Sequence, residues 1–269
     1  MNLPPYVIAE KEVGQTPLEV VTKLKEKHAM PDDTRLSYAG RLDPMASGKL
    51  LVLVGDTCKR QRHFTKLDKE YIVEVLLGVG SDTGDVLGLP HEGKGVTVSD
   101  DEIRKALTPL VGVHAVPYPA FSSKTVSGKP LFLHALEGTL ANITIPTHQE
   151  AFYAIRLIER NTYTKAELME RVREHLDKTP RTTEPSKHLG ADFRIDAITK
   201  SWDELFATTS QESFTVLRIR VISGSGAYMR SLSGRIGENL ATNGLALSIH
   251  RTTIGRYFPL LRLWLKRFS

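Results

Sequence analysis

An apolar run at residues 50–54 follows a Leu-Asp-Pro turn, and this junction constrains the fold more than any other part of the chain. Five consecutive Leu and Val residues have the length of a buried strand. Proline disfavours helix at the residue before it, so Asp43 should hold an extended or turn conformation where the chain approaches that strand. A carboxylate on such a loop is poorly solvated and is a candidate acid, base or nucleophile. Taken alone, an Asp-Pro pair is more often a simple turn.

The composition is that of an ordinary globular protein. The 269 residues are 41% hydrophobic and 25% charged, which is enough to bury a sizeable core in one large domain. A net charge of +5 favours a polyanionic partner. The single Cys58 excludes an internal disulfide and fits a reducing compartment. No apolar run approaches the ~20 residues needed to cross a bilayer, and no signal peptide is evident, so we expect a cytoplasmic protein that does not bind membranes.

Helix and strand signals are spread along the chain. Residues 7–9 and 71–77 are typical of strands, and T-P-L-E at residues 16–19 is a capping box with a proline at the first helical position. Leu18, Val21 and Leu24 recur at helical spacing and predict the buried stripe of that helix. The remaining predicted elements are a basic helix at 56–66, helices opened by capping boxes at 99–102 and 164–167, a strand at 215–222, a helix from residue 229 and a strand at 244–257. Strands alternating with capped helices indicate an α+β domain around a mixed, largely antiparallel sheet flanked by helices.

The D-T-G triplet at residues 82–84 has three interpretations. It spells the active-site triplet of aspartic proteases, but that chemistry needs two such carboxylates and no second triplet occurs. Asp82 and Asp85 together could instead hold magnesium. We favour a glycine-containing turn capped by its aspartates, and we expect no metal site.

Four blocks of the sequence resemble, in order, the motifs of the TruB family of tRNA pseudouridine synthases. They are G-R-L-D-P-M-A-S-G at residues 40–48, K-E-Y through D-T-G-D at residues 69–88, V-P-Y-P-A-F-S-S-K through G-K at residues 116–129, and S-G-A-Y-M-R-S-L-S-G-R-I-G at residues 225–237. The chain departs from the family at Tyr38, where a histidine is usual, and at Arg41, where a small residue is usual. R-L-D is the form typical of the RluA and RsuA synthases, which share the catalytic aspartate but lack the P-x-A-x-G and D-T-x-D patterns.

The resemblance implies catalytic roles for four residues. Asp43 would be the nucleophile or the proton-transfer base, and Arg230 would pair with it. Tyr71 would stack on a uracil flipped out of the RNA, and Tyr228 would hydrogen-bond nearby.

Five further residues are assigned to substrate binding, namely Lys11, Tyr38, Lys124, Lys129 and Ile249. Lys11 would hold the Asp43 loop through a charged hydrogen bond, unless it is a solvated surface lysine. The Tyr38 ring would stack in the place of the flipped base. Lys124 and Lys129 suit phosphate contacts, and Ile249 stands where the family has a leucine against the uracil.

The implied protein is a single pseudouridine synthase domain over residues 1–269, without a PUA domain and with a clamp-like RNA-binding segment at about 117–146. It would isomerise uridine to pseudouridine at position 55 in the T-loop of tRNA, binding the T-arm as a monomer and using no cofactor. Two alternatives stay open. One is a tRNA-folding chaperone that is catalytically weak or inactive, and the other is an RluA-like synthase acting on ribosomal RNA.

Two segments lie outside the resemblance. Residues 159–206 form an insertion without a match, in which 179–185 is typical of a flexible linker. Residues 260–268 form a basic amphipathic end, of a kind that can bind RNA or a membrane surface but more often packs on its own domain.

Overall fold

A computed structural model describes residues 4–179 and 194–268, and the chain there forms thirteen strands and seven helices. Strands β1 to β13 are Tyr6–Lys11, Leu36–Ala39, Ala46–Val54, Asp68–Leu77, Val79–Ser81, Pro90–Glu92, Gly112–Pro117, Thr125–Val126, Lys129–Pro130, Thr147–Thr164, Ser213–Ser223, Gly244–Phe258 and Leu263–Phe268. Helices α1 to α7 are Pro17–Lys27, Gln61–Thr65, Asp100–Leu107, Leu131–Leu136, Lys165–Lys178, Ile195–Thr208 and Met229–Asn239. The predicted linker, apart from Thr179, lies outside the described residues.

Nine of these strands build one sheet in the order β1-β3-β12-β4-β11-β10-β7, with β2 on β3 and β13 on β12. Every pairing in it is antiparallel except β12 with β3, which is parallel over three residue pairs. The α+β class and the largely antiparallel sheet are therefore confirmed. Strands β3 and β4 are neighbours in sequence but do not pair, because β12 lies between them.

The run at residues 50–54 is apolar throughout because both of its faces are covered. Leu50 and Val52 pack with α1, whereas Leu51 and Leu53 pack with α2 and β13 on the opposite face. A strand buried on both sides loses the apolar–polar alternation of a surface strand. Helices α3, α5, α6 and α7 cover the other half of the sheet with one continuous core.

The capping boxes at the starts of α1, α3 and α5 all form as predicted. The predicted buried stripe of α1 is wrong at Leu18, whose side chain is 66% exposed, while Val20 is buried beside Leu24. Val20 and Leu24 are one turn apart and face β3, and Leu18 lies about 200° around the helix from Val20. The prediction is confirmed at Leu24, and Val21 packs partly against the same cluster, so it fails only at Leu18.

Two basic segments fold together. The predicted helix at 56–66 is a 3-10 turn, Gly55–Arg60, followed by the short α2. The amphipathic end forms β13, which pairs with β12 and buries Phe268 against Phe64 of α2. In the described part of the chain, no helix combines the length and apolarity needed to cross a membrane.

Candidate active site

A cavity of about 930 Å³ opens between the Asp43 loop, β4 and the start of α7. Six of the nine residues singled out from the sequence line it, namely Tyr38, Asp43, Tyr71, Tyr228, Arg230 and Ile249. Lys11, Lys124 and Lys129 do not. The fold thus brings all four predicted catalytic side chains to one cleft from three separate stretches of the chain.

Arg230 fixes the Asp43 carboxylate. Its Nε donates to Asp43 Oδ2 at 2.8 Å, and its side chain is 5% exposed while that of Asp43 is 41% exposed. The two terminal nitrogens donate to the carbonyls of Thr83 and Phe121 at 2.8 and 2.9 Å. Because all three guanidinium nitrogens are hydrogen-bonded, the Arg230 side chain cannot rotate. It therefore holds the Asp43 carboxylate in one orientation facing the cleft.

Asp85 is a second carboxylate on the same arginine, and the sequence interpretation missed this contact. Its Oδ2 lies 3.6 Å from Arg230 Nε, while Oδ1 accepts from the Thr83 hydroxyl and the Leu87 N–H. Burial raises the pKa of the Asp85 carboxyl to about 6, although Arg230 opposes the shift. Only a long-range pairing distinguishes this residue from an ordinary turn cap.

The aspartates of the D-T-G-D turn point in different directions. Asp82 accepts the Leu89 N–H at 2.8 Å and pairs with Arg194 at 2.8 Å, whereas Asp85 faces Arg230. Within residues 4–179 and 194–268, no group of three or more His, Cys, Asp or Glu side chains is placed to hold a metal ion.

Two buried cations donate hydrogen bonds to backbone carbonyls of the Asp43 loop. Lys11 has no exposed surface, and its Nζ donates to the carbonyls of Ala46 and Pro44 at 2.5 and 3.3 Å. Burial lowers the pKa of the Lys11 ammonium to about 8, against the opposing effect of Asp43. We therefore expect Lys11 to act on a substrate through the loop rather than by contact.

Arg251, which the sequence did not single out, is the second of these cations. It is fully buried and donates to the carbonyls of Gly40, Arg41 and Lys49. Gly48 is required beside it, because a Cβ there would lie 2.3 Å from the Arg251 carbonyl oxygen and the backbone φ is +104°.

Tyr71 and Ile249 form part of the cavity wall from two paired strands. Tyr71 of β4 is opposite Arg251 of β12, and Ile249 is opposite Val73. Both side chains are more than nine-tenths buried, yet both line the cavity. They offer an aromatic and an aliphatic surface to a planar ligand.

Tyr228 precedes α7 and is anchored by a residue that the sequence did not reveal. Its own side chain does not cap the helix, and its N–H instead donates to Glu150 Oε1 at 2.8 Å. Glu150 is fully buried on β10, with His148 Nε2 at 3.4 Å and Arg235 at 3.5 Å. Burial raises the pKa of this carboxyl. Burial likewise raises the pKa of the Tyr228 phenol, and Asp43 adds to that shift.

Comparison with known proteins decides the family. The model of the TruB family pseudouridylate synthases (N-terminal domain) matches residues 27–174, more than half of the chain. The chain belongs to the TruB family. The resemblance drawn from the motif blocks is confirmed.

TruB relatives match over different lengths. The tRNA pseudouridine synthase B of Caldicellulosiruptor saccharolyticus is 32% identical over 152 residues, which is 56% of this chain and 51% of the relative. The enzyme of the same name from Deinococcus radiodurans is 25% identical over 254 residues, 94% of this chain and 74% of the relative. The match thus spans about half of the first relative's length.

One solved structure shares the fold of this TruB protein. A chain of the crystal structure described as a Cbf5-Nop10-Gar1 complex superposes with a TM-score of 0.54 at 16% identity, covering 93% of this chain and 48% of that one. The pseudouridine synthase fold is thereby confirmed.

The predicted TruB clamp at about 117–146 contains the β8–β9 hairpin and α4, and it approaches the cleft through Phe121. Lys124 Nζ lies 5.3 Å from the centroid of the Tyr118 ring, and Lys129 pairs with Glu137 at 2.5 Å. Both lysines lie outside the cavity wall, and their phosphate contacts stay a prediction.

Tyr38, where the chain departs from the TruB pattern, stands on β2 at the cavity wall. Its ring packs partly against the cluster between α1 and β3, and its carbonyl accepts from Gln61 Nε2 at 2.8 Å. A stacking role and a packing role are both compatible with this position.

Glu150→Ala is expected to lower the free energy of unfolding by about 1–3 kcal/mol, because the Tyr228 N–H would lose its buried acceptor. Glu150→Gln should lose much less, since an amide oxygen accepts the same hydrogen bond. Chemical denaturation of both variants checks this. Equal losses would show that the carboxylate charge matters and the hydrogen bond to the Tyr228 N–H does not.

Proposed function

We propose that this protein isomerises uridine to pseudouridine at position 55 in the T-loop of tRNA. The observation that carries the proposal is the Asp43 carboxylate, half-exposed to a large cleft and fixed by a buried Arg230. The family membership supports the same chemistry. We further propose that residues 1–269 act as one monomeric domain in the cytoplasm, with the tRNA T-arm as partner and without a cofactor.

In this isomerisation the N1–C1′ glycosidic bond breaks, the uracil turns, and a C5–C1′ bond forms. The proton on C5 is then lost and N1 gains one, so no net redox change occurs. Asp43 acts as the nucleophile or as the base that moves these protons. Arg230 holds the carboxylate in position with an opposite charge throughout.

The cleft suits one flipped nucleotide. Its volume of about 930 Å³ admits a base and its ribose. Tyr71 stacks on the uracil, Ile249 packs against it, and the Tyr228 hydroxyl donates nearby. An enzyme that must reach C1′ takes the base out of its stack, and a loop in the RNA makes this extrusion less costly.

Release of tritium from [5-³H]uridine in an unmodified tRNA transcript tests the proposal, because the C5 hydrogen leaves only when pseudouridine forms. A transcript with cytidine at position 55 is the matched control. Release from the first and none from the second is expected. Release only from ribosomal RNA fragments would favour the RluA-like alternative, and tRNA binding without release would favour the chaperone.

Tyr38→Phe is expected to leave activity nearly unchanged, because stacking in the RNA needs the ring and not the hydroxyl. Tyr38→Ala should lose about 1–3 kcal/mol in forming the flipped complex, the range of an aromatic–base stack. A fluorescent base analogue at the target position reports flipping separately from product formation. A stable Ala variant with normal flipping would contradict the stacking role.

A further inference from the structure

Five exposed cations lie together on the surface formed by α2, its preceding 3-10 turn and the β12–β13 hairpin. They are Arg60, Arg62, Lys66, Arg256 and Lys266. We call this set the α2–β13 basic surface. None of the cavity-lining residues belongs to it.

The basic surface is assembled by an apolar cluster beneath it. Phe64 of α2 and Phe268 of β13 are in contact, with ring centroids 5.9 Å apart, and Ile254 of β12 belongs to the same cluster. Arg256 is directly opposite Lys266 in the strand register, and its guanidinium lies 3.5 Å from His63 of α2. Phe64, Ile254 and Phe268 are therefore buried together, and the five cations lie exposed around this cluster.

In the described part of the chain, no ion pair offsets the charges of these five cations. Within residues 4–179 and 194–268, none of the five takes part in a salt bridge. By contrast, Lys59 pairs with Asp56, Arg104 with Asp100 and Asp101, and Lys200 with Glu204. Uncompensated like charges repel one another, so such a surface is best satisfied by a polyanion.

The basic surface adjoins the cleft. Gln61 of α2 donates to the Tyr38 carbonyl, and Thr65 at the end of α2 lines the cavity together with Tyr38. Helix α2 therefore forms part of one rim of the cavity, within reach of an RNA strand whose base enters the cleft.

We propose that the α2–β13 basic surface binds the sugar–phosphate backbone of the substrate RNA outside the cleft. This inference rests on the proposed function and adds a second binding region to it. An anionic membrane is the competing partner, because β13 exposes Leu263 and Leu265. RNA is favoured because Gln61 and Thr65 connect α2 to the cavity wall. The exposed Leu260 and Leu261 lie in the turn of the hairpin, beyond the ends of its paired strands.

The test neutralises three cations together in the variant Arg62→Gln/Lys66→Gln/Arg256→Gln. The affinity for tRNA transcript is measured by fluorescence anisotropy at several salt concentrations. Since each phosphate contact contributes about 0.9 to the slope of log K against log salt, the slope should fall in magnitude by about 2–3. At saturating RNA the tritium-release rate should equal that of the unaltered protein, while KM rises.

The matched control is Arg104→Gln/Lys178→Gln/Lys200→Gln, which removes the same charge from ion-paired positions outside the basic surface and should leave the slope unchanged. Equal slopes for both variants would overturn the proposal. Loss of binding to phosphatidylserine vesicles with unchanged RNA affinity would overturn it in favour of a membrane. Failure of the proposed function is separately visible, as absence of tritium release from the unaltered protein.

Discussion

Asp43→Asn is expected to abolish pseudouridine formation while tRNA binding stays within a few-fold of the unaltered protein. Asparagine keeps the shape of the side chain and can still accept from Arg230, but it lacks the carboxylate that, in the proposed function, attacks C1′ or moves the proton. Loss of a catalytic acid–base group alone costs about 10²–10⁴-fold in rate. We expect the phosphate contacts that supply affinity to be made by other residues.

Single-turnover tritium release and filter binding measure the two effects of Asp43→Asn separately. Asp203→Asn is a suitable control. Asp203 is an exposed aspartate that pairs with Arg173, and neither residue lines the cavity. Appreciable turnover by purified Asp43→Asn would remove Asp43 from the chemistry. A large loss of RNA affinity would show that the residue binds rather than reacts.

Arg230→Met should remove activity and also destabilise the fold by about 3–5 kcal/mol, because it leaves the buried Asp85 carboxylate without its cation. The carbonyls of Thr83 and Phe121 would lose their donors as well. Arg230→Lys keeps the charge but cannot make three directed hydrogen bonds, so it should restore part of the stability and little of the rate.

The stability loss of Arg230→Met should depend on pH. The pKa of Asp85 is already raised to about 6, and removal of Arg230 raises it further. The folded state then binds a proton more readily than the unfolded state, so the variant regains stability as pH falls from 8 towards 5. Denaturant melts at several pH values check this. The double variant Arg230→Met/Asp85→Asn should be more stable than Arg230→Met at pH 8, and equal stability would contradict the role given to Asp85.

Local features of the fold were predictable because their physical causes are local. The three capping boxes need only residues three apart, and the apolar run at 50–54 needs only its length. The prediction failed at Leu18, because burial in a helix depends on what packs against it. Helical spacing reveals a stripe, but which side of α1 faces the sheet depends on β3, a strand almost thirty residues away.

The residues of the site likewise fall into those that the sequence revealed and those that it did not. Asp43, Tyr71, Tyr228 and Arg230 were recognisable because each stands in a motif block. Glu150, Asp85 and Arg251 were missed because their importance lies in contacts with distant partners. In the sequence, Asp85 has the appearance of a turn cap. Arg251 is one of many basic residues, and Glu150 looks like an ordinary strand residue. Only the assembled structure shows that each is buried against a cleft residue or the loop that carries one.

The position of β12 between β3 and β4 has a consequence for the order of folding. Before β12 docks, the half of the sheet that ends at the Asp43 loop and the half that begins with Tyr71 share no hydrogen-bonded strand pair. Asp43 and Arg230 are 187 residues apart, and closing such long loops slows folding. Hydrogen-exchange labelling during refolding should therefore protect the β10–β11 pair before residues 244–251. Catalytic competence would then appear abruptly, as the final event in the maturation of the chain.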